Sequence, residues 1–249
     1  MRLLDNTYSG SAVRVRRASD NAEQDIAFAN NELDTATLET FASGTDAFVT
    51  TWYDQSGNGN DATQATASAQ PKIVSSGSTI LENGKPTISF DGLSDYLNMT
   101  NYIWTGTIAK SAIVVGNANA TSVDQSMIAV GNNSVLGNSV NFTSEIAVRV
   151  GGNAVFSDDF IDANLLLGTM LIPANATTAD IDVYLNNSLL TKTHTSSTLN
   201  TSASTNKSIG KGLSTFYNGN ISEIVAYELY QNTNRTGIET NINDFYSIY

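Results

Sequence analysis

The chain has 249 residues, 12 Lys and Arg against 24 Asp and Glu, one histidine and no cysteine, for a formal charge of −12. Disulfides, thiolate metal sites and a cysteine nucleophile are therefore excluded, imidazole chemistry is confined to His194, and the clustered cations of a nucleic-acid surface are missing. Only 14% of residues are charged, so the surface must be built largely from Ser, Thr, Asn and Gly, as on an extracellular β-protein or a virion component.

In chain order, Val13-Arg14-Val15-Arg16-Arg17 alternates as a strand with one wet face. Its arginines are expected to pair with Asp20, Glu23 and Asp25 rather than form an anion patch. Asp34 or Thr35 can cap a short helix carrying Leu38 and Phe41, with Gly44 beyond its end. Strands are then predicted at Thr87–Phe90, Ala112–Val115, Met127–Val130, Glu145–Val150, Asp180–Leu185 and Ile221–Tyr227. Gly151-Gly152 and Asn186-Asn187 read as turns, the latter a tight hairpin because Asn tolerates positive φ. The Ser/Thr/Asn-rich stretch Thr191–Lys207 reads as a long surface loop. A closing helix from about Thr233 to Phe245 sets Ile238, Ile242 and Phe245 on one face. No apolar run approaches the ~20 residues that span a bilayer, and the start Met1-Arg2-Leu3-Leu4-Asp5 has no apolar leader core. The expectation is one all-β domain over residues 1–249, an antiparallel sandwich with one or two short helices.

The most specific stretch is Val49-Thr50-Thr51-Trp52-Tyr53-Asp54-Gln55-Ser56-Gly57-Asn58-Gly59-Asn60-Asp61-Ala62-Thr63-Gln64. A strand ending at Trp52-Tyr53 enters a loop whose glycines permit positive φ and whose Asp54, Ser56, Asn58, Asn60 and Asp61 supply oxygens. Three readings are open: a turn held by Asp54 and Asn side chains on backbone amides, a loose calcium site of Asp54, Asn58, Asn60 and Asp61, or direct ligand contact. An EF-hand is excluded, because its twelfth position is Ala65 rather than a bidentate Glu. Asp91-Gly92-x-x-Asp95-Tyr96 reads as a second turn between strands.

These residues carry a resemblance. The Val49–Gln64 stretch resembles a segment of the catalytic domain of arabinofuranosidase B enzymes and the Ser-Gly-Asn-Gly-Asn turn of laminin-G-like, concanavalin A-like modules. Lys85-Pro86-Thr87-Ile88-Ser89-Phe90-Asp91-Gly92 through Asp95-Tyr96-Leu97 is similar to the strand and turn of such modules. Phe216-Tyr217-Asn218-Gly219-Asn220-Ile221 is similar to their closing strand, and Arg2-Leu3-Leu4 with Arg14–Asn21 resembles phage structural-protein domains. The resemblance implies a concanavalin A-like jelly roll of two antiparallel sheets, with sugar binding as its commonest role. The family's active-site disulfide has no counterpart here, and the resemblance places neither its nucleophile nor its acid on a residue of this chain.

Carboxylate pairs are the other requirement for glycoside hydrolysis. Asp180 and Asp182 are expected about 7 Å apart on one strand face beside Tyr184. Glu145, Glu223 and Glu228 are expected on solvated faces, His194 on the surface, Trp52 in the core and Trp104 in an exposed aromatic patch. The leading reading is a non-catalytic carbohydrate-binding or adhesion module, virion-borne or extracellular, contacting host glycans through Asp54, Asn58, Asn60, Asp61, Asp95 and Tyr96. It is expected to have no catalytic residue and no cofactor, with calcium as the one alternative. Glycans are the expected partners, together with other virion proteins or further copies of the chain, and neither nucleic acid nor membrane insertion is expected. The alternatives are an arabinofuranosidase-like glycoside hydrolase and a structural virion module.

Overall fold

The computed structural model describes residues 1–101, 106–119, 125–130, 133–139, 145–149, 153–156, 164–195, 207–212 and 215–249. Trp104, the predicted Gly151-Gly152 turn and residues 196–206 of the predicted 191–207 loop lie outside the described residues, as do the side chains of Glu145 and His194; the start of that predicted loop is instead a strand, Lys192–Thr195.

Every pairing described between strands is antiparallel. A first row runs Glu23–Ile26, Val13–Arg17, Ala47–Trp52, Lys72–Ser75 and Ile88–Asp91. It continues through Asn218–Tyr227, Lys110–Ala118, Leu166–Ile172, Asp182–Leu185 and Ser188–Leu189. A second row runs Ala62–Thr63, Leu97–Met99, Lys207–Ile209 and Gln125–Val130. Beyond these lie Asn133–Ser139, Glu145–Arg149, Asn153–Phe156 and Lys192–Thr195. The rows join at one corner, where Ala62 and Thr63 also pair with Trp52 and Thr51.

Period-two alternation directs the packing. Val13 and Val15 are buried while Arg14 and Arg16 turn outward; Ile88 and Phe90 are buried beside half-buried Ser89 and exposed Asp91. One core takes side chains from both rows, including Val49, Ile88 and Ile221 from the first and Leu97, Ile128 and Ile209 from the second. The expected antiparallel sandwich is therefore present. Two central strands, Lys110–Ala118 and Leu166–Ile172, are buried along their whole length. Ala112 and Val114 face the main core, whereas Ile113 and Val115 face a second cluster with Leu165, Leu167, Ile242 and Tyr246. The closing helix covers their outer face, which is why these strands read as continuous apolar runs.

Both predicted helices form. Helix α1, Thr35–Ala42, is capped by Asp34, whose Oδ1 accepts the Thr37 N–H at 3.0 Å. It ends in left-handed Ser43, one residue before Gly44. Helix α2, Arg235–Tyr246, buries Ile242 and Tyr246 with Ile238 and Phe245 partly covered. Asn186 and Asn187 take φ of 48° and 66°, the positive pair that a two-residue hairpin needs. The arginines of the first strand pair locally as expected: Arg14 with Glu23 and Asp25, Arg17 with Asp20.

Two expectations are corrected. Asp180 does not share a strand face with Asp182: it closes a single 3₁₀ turn, Thr178–Asp180, through a reciprocal capping box with Thr177. Tyr184, next along from that face, is covered by the Arg235 guanidinium, 3.7 Å from its ring centroid. Glu223 is not solvated: its side chain is 4% exposed and pairs with Arg2 at 2.8 Å.

Candidate functional site

The strand Ala47–Trp52 delivers the Asp54–Asp61 loop at the corner between the rows. Asp54 Oδ1 accepts the Ser56 N–H at 2.9 Å, while Oδ2 accepts the Ser56 hydroxyl at 2.7 Å and the Asn60 N–H at 2.9 Å. Asp61 Oδ1 accepts the Asp54 N–H at 2.8 Å. Burial works to raise the Asp54 carboxyl, but the amides of Asn60, Ser56 and Asn58 outweigh it and hold the group below the ordinary aspartate range. The left-handed positions fall on Gly57 and Gly59, at φ 78° and 70°. The carboxylates thus organise the turn, and the Asn58 and Asn60 carboxamides keep no hydrogen-bond partner among the described residues. No group of three or more His, Asp or Glu side chains converges as a metal site among the described residues.

Asp95 and Tyr96 lie in a different turn. The strand Ile88–Asp91 ends where Gly92 takes φ 74°, and Asp91 Oδ1 gathers the N–H groups of Leu93, Ser94 and Asp95 at 2.8, 2.8 and 3.0 Å. Asp95 is buried, at 9% exposure, and its Oδ2 accepts the Asp91 N–H at 3.2 Å. Burial first, and then the Asp91 charge, push the Asp95 carboxyl up to about 7. Asp91 moves the other way: burial opposes its ionisation, yet the amides of Ser94, Leu93 and Asp95 keep it below the usual range. Two carboxyls four residues apart are thereby separated in charge state near neutrality, the condition under which one can donate a proton.

The next residue, Tyr96, belongs to an aromatic contact. Tyr96 is anchored through its backbone, the N–H donating to Ala69 O and the carbonyl accepting from Gln64 Nε2, both at 3.1 Å. Its ring lies 6.1 Å from Phe216, and Lys211 Nζ sits 4.4 Å from the Tyr96 centroid and 5.2 Å from that of Phe216. Lys211 and Phe216 face each other across an isolated bridge. Before them, Gly210 adopts φ 81° with the Phe90 ring 2.3 Å from where a Cβ would stand. Phe90 packs edge-on against Tyr217, whose hydroxyl donates to Asn117 O at 2.6 Å. Sequence reasoning singled out Asp95 and Tyr96 but missed Lys211, Phe216 and Gln64 as neighbours of Tyr96. Phe216 stands in the stretch identified as the closing strand, and Gln64 ends the loop motif, so both carried a signal without a position.

The six predicted ligand residues thus fall into two places. Asp54, Asn58 and Asn60 line a cleft of about 710 Å³ with Trp52 and Tyr53, while Asp95 and Tyr96 do not border it. Asp61 holds the loop from behind. Trp52, expected in the core, packs against it and also reaches this cleft.

Comparison with known proteins adds the family. The model of the α-L-arabinofuranosidase B catalytic domain matches residues 1–238. A probable α-L-arabinofuranosidase B of Aspergillus fumigatus is 44% identical over 66 residues, 26% of this chain and 13% of that protein. The α-L-arabinofuranosidase B of Penicillium canescens is 41% identical over a stretch of the same length, 26% of this chain and 14% of that protein. Among solved structures, a GH54 α-L-arabinofuranosidase soaked with a cyclic sulfate inhibitor shares the fold at TM-score 0.63 and 17% identity. An arabinofuranosidase complexed with arabinofuranosyl-α-1,2-xylobiose matches equally, at 0.63 and 17%. Each match covers 97% of this chain and 60% of the solved one, so the chain is shorter than these relatives. These findings overturn the expectation of a non-catalytic adhesion module on a phage virion, since the matched family is built of catalytic domains and these sequence relatives are fungal enzymes. The chain belongs to the α-L-arabinofuranosidase B catalytic-domain family.

Proposed function

We propose that this domain is a glycoside hydrolase that removes α-L-arabinofuranosyl groups from a polysaccharide outside the cell, with Asp95 as the proton donor. The family match over residues 1–238 carries the reaction class. The residue assignment rests on Asp95 being a buried carboxyl, one residue before Tyr96, held protonated to about pH 7. In hydrolysis water delivers its oxygen to the anomeric carbon as the glycosidic bond breaks, and the departing oxygen needs a proton. Asp95 supplies it. Asp91 acts on Asp95 through its charge, because its own oxygens are engaged by three backbone amides and the Ser94 hydroxyl. The hydroxyl- and amide-rich surface inferred from composition suits a sugar polymer, and a chain of net charge −12 resists nonspecific polyanion binding.

The test is release of free arabinose from an arabinosylated xylan by the purified chain, compared with Asp95→Asn. Arabinose released by the wild type and lost in the variant is the expected result. A wild type that releases none overturns the reading.

A further inference from the structure

The cleft at the Asp54–Asp61 loop is not used by the proton-donor turn, yet it has the features of a ligand site. We propose that it is a second saccharide-binding site, taking a neutral oligosaccharide segment at a place separate from Asp95. Its volume of about 710 Å³ falls within the usual range of ligand pockets. Trp52 and Tyr53 give it aromatic lining at a strand end, where sugar C–H faces pack well. Tyr53 is fixed there: its hydroxyl donates to Asp25 Oδ1 at 2.8 Å and its backbone N–H to Ala12 O at 3.1 Å. The Asn58 and Asn60 carboxamides, unpartnered among the described residues, offer donor and acceptor together, as vicinal hydroxyls require.

Charge decides which saccharide fits. Arg2 lines the cleft but is taken by Glu223, which it grips with Nε and a second guanidinium nitrogen at 2.8 and 3.1 Å. Asp5, Asp54 and Glu228 remain on the lining without an ion pair among the described residues. A uronate-bearing chain is therefore repelled and a neutral one admitted. The inference rests on the hydrolase reading only for the ligand's chemistry, since the site would hold the polymer while another segment meets Asp95.

The test uses the full chain carrying Asp95→Asn, so that the ligand stays intact, titrated calorimetrically with a neutral arabinoxylo-oligosaccharide and with oligogalacturonate. The neutral ligand is expected to bind, oligogalacturonate is not, and adding Asn58→Ala with Asn60→Ala weakens binding about tenfold or more. Both alanines are tolerated by the turn, because its positive φ angles fall on Gly57 and Gly59. A second variant, Glu228→Lys on the exposed rim, is expected to admit oligogalacturonate. Unchanged affinity in the double alanine variant, equal binding of both ligands, or absence of neutral-ligand binding each overturn the proposal. A wild type that releases no arabinose would sink the hydrolase reading and leave this titration to decide the cleft.

Discussion

Asp95 is an aspartate whose surroundings favour the acid form, and that preference has a thermodynamic consequence. Its folded pKa of about 7 lies above the ordinary value of 3.8. Between those limits the unfolded chain has released the proton and the folded chain has kept it. Stability therefore falls as pH rises from about 4 to about 7, and the full penalty of a buried charge is present above that. Thermal unfolding of the wild type should show this decline, and Asp95→Asn should flatten it and be the more stable protein at pH 8. A wild-type curve with no slope assignable to Asp95 would contradict the placement. Arg2 and Glu223 set the opposite problem, a charge pair held in the interior at 13% and 4% side-chain exposure. Arg2→Ala strands a buried carboxylate and should cost about 3–5 kcal/mol in denaturant unfolding. Neither effect could be read from residues alone. Glu223 stands in an alternating strand, and its partner is 221 residues away, so an outward-facing acid was the natural expectation. The Asp91–Asp95 turn was legible because the whole motif is local; the raised proton affinity was not, because it comes from burial under the fold.

At the scale of elements, local chemistry was a good guide wherever one segment held all of it. Asp34 before Thr35-Ala36-Thr37, Asn186-Asn187 between two apolar runs, and Ile238 with Ile242 each announced a cap, a hairpin or a helix face, and each formed. Asp180 shows the limit: period two placed it in a strand, but Thr177-x-x-Asp180 is itself a capping signal, and the cap prevailed. The helix α2 has its value in what it covers. Ile242 is fully buried over the central strands, so Ile242→Ala should destabilise the protein by about 2–5 kcal/mol, with the range set by how far the site collapses. Gly210→Ala tests the packing of Phe90, one residue before Asp91. A methyl there meets the Phe90 ring at 2.3 Å on a backbone with φ 81°, so the substitution should lower the melting temperature and disturb the near-ultraviolet signal of the aromatic cluster. An unperturbed spectrum would mean that the Phe90 ring does not stand where it is described.

Across the whole molecule, two antiparallel rows joined at the Trp52–Ala62 corner share one core, and the Asp54–Asp61 loop and the Asp91–Asp95 turn are two separate places on it. The sandwich was readable from composition and alternation, whereas the choice between adhesion and catalysis was not, since one sheet architecture hosts both. The proposal of catalysis rests on family membership over residues 1–238, and it makes Asp95 answerable to kinetics. A proton donor matters most when the leaving group is a poor one, and little when the leaving group departs as a stable anion. The decisive measurement is therefore kcat/KM of the wild type and Asp95→Asn on an arabinosyl-xylooligosaccharide and on 4-nitrophenyl α-L-arabinofuranoside. The prediction is a loss of about 10²–10⁴-fold on the sugar leaving group and a much smaller one on 4-nitrophenolate. Equal loss on both substrates, or no turnover of either by the wild type, would contradict the account.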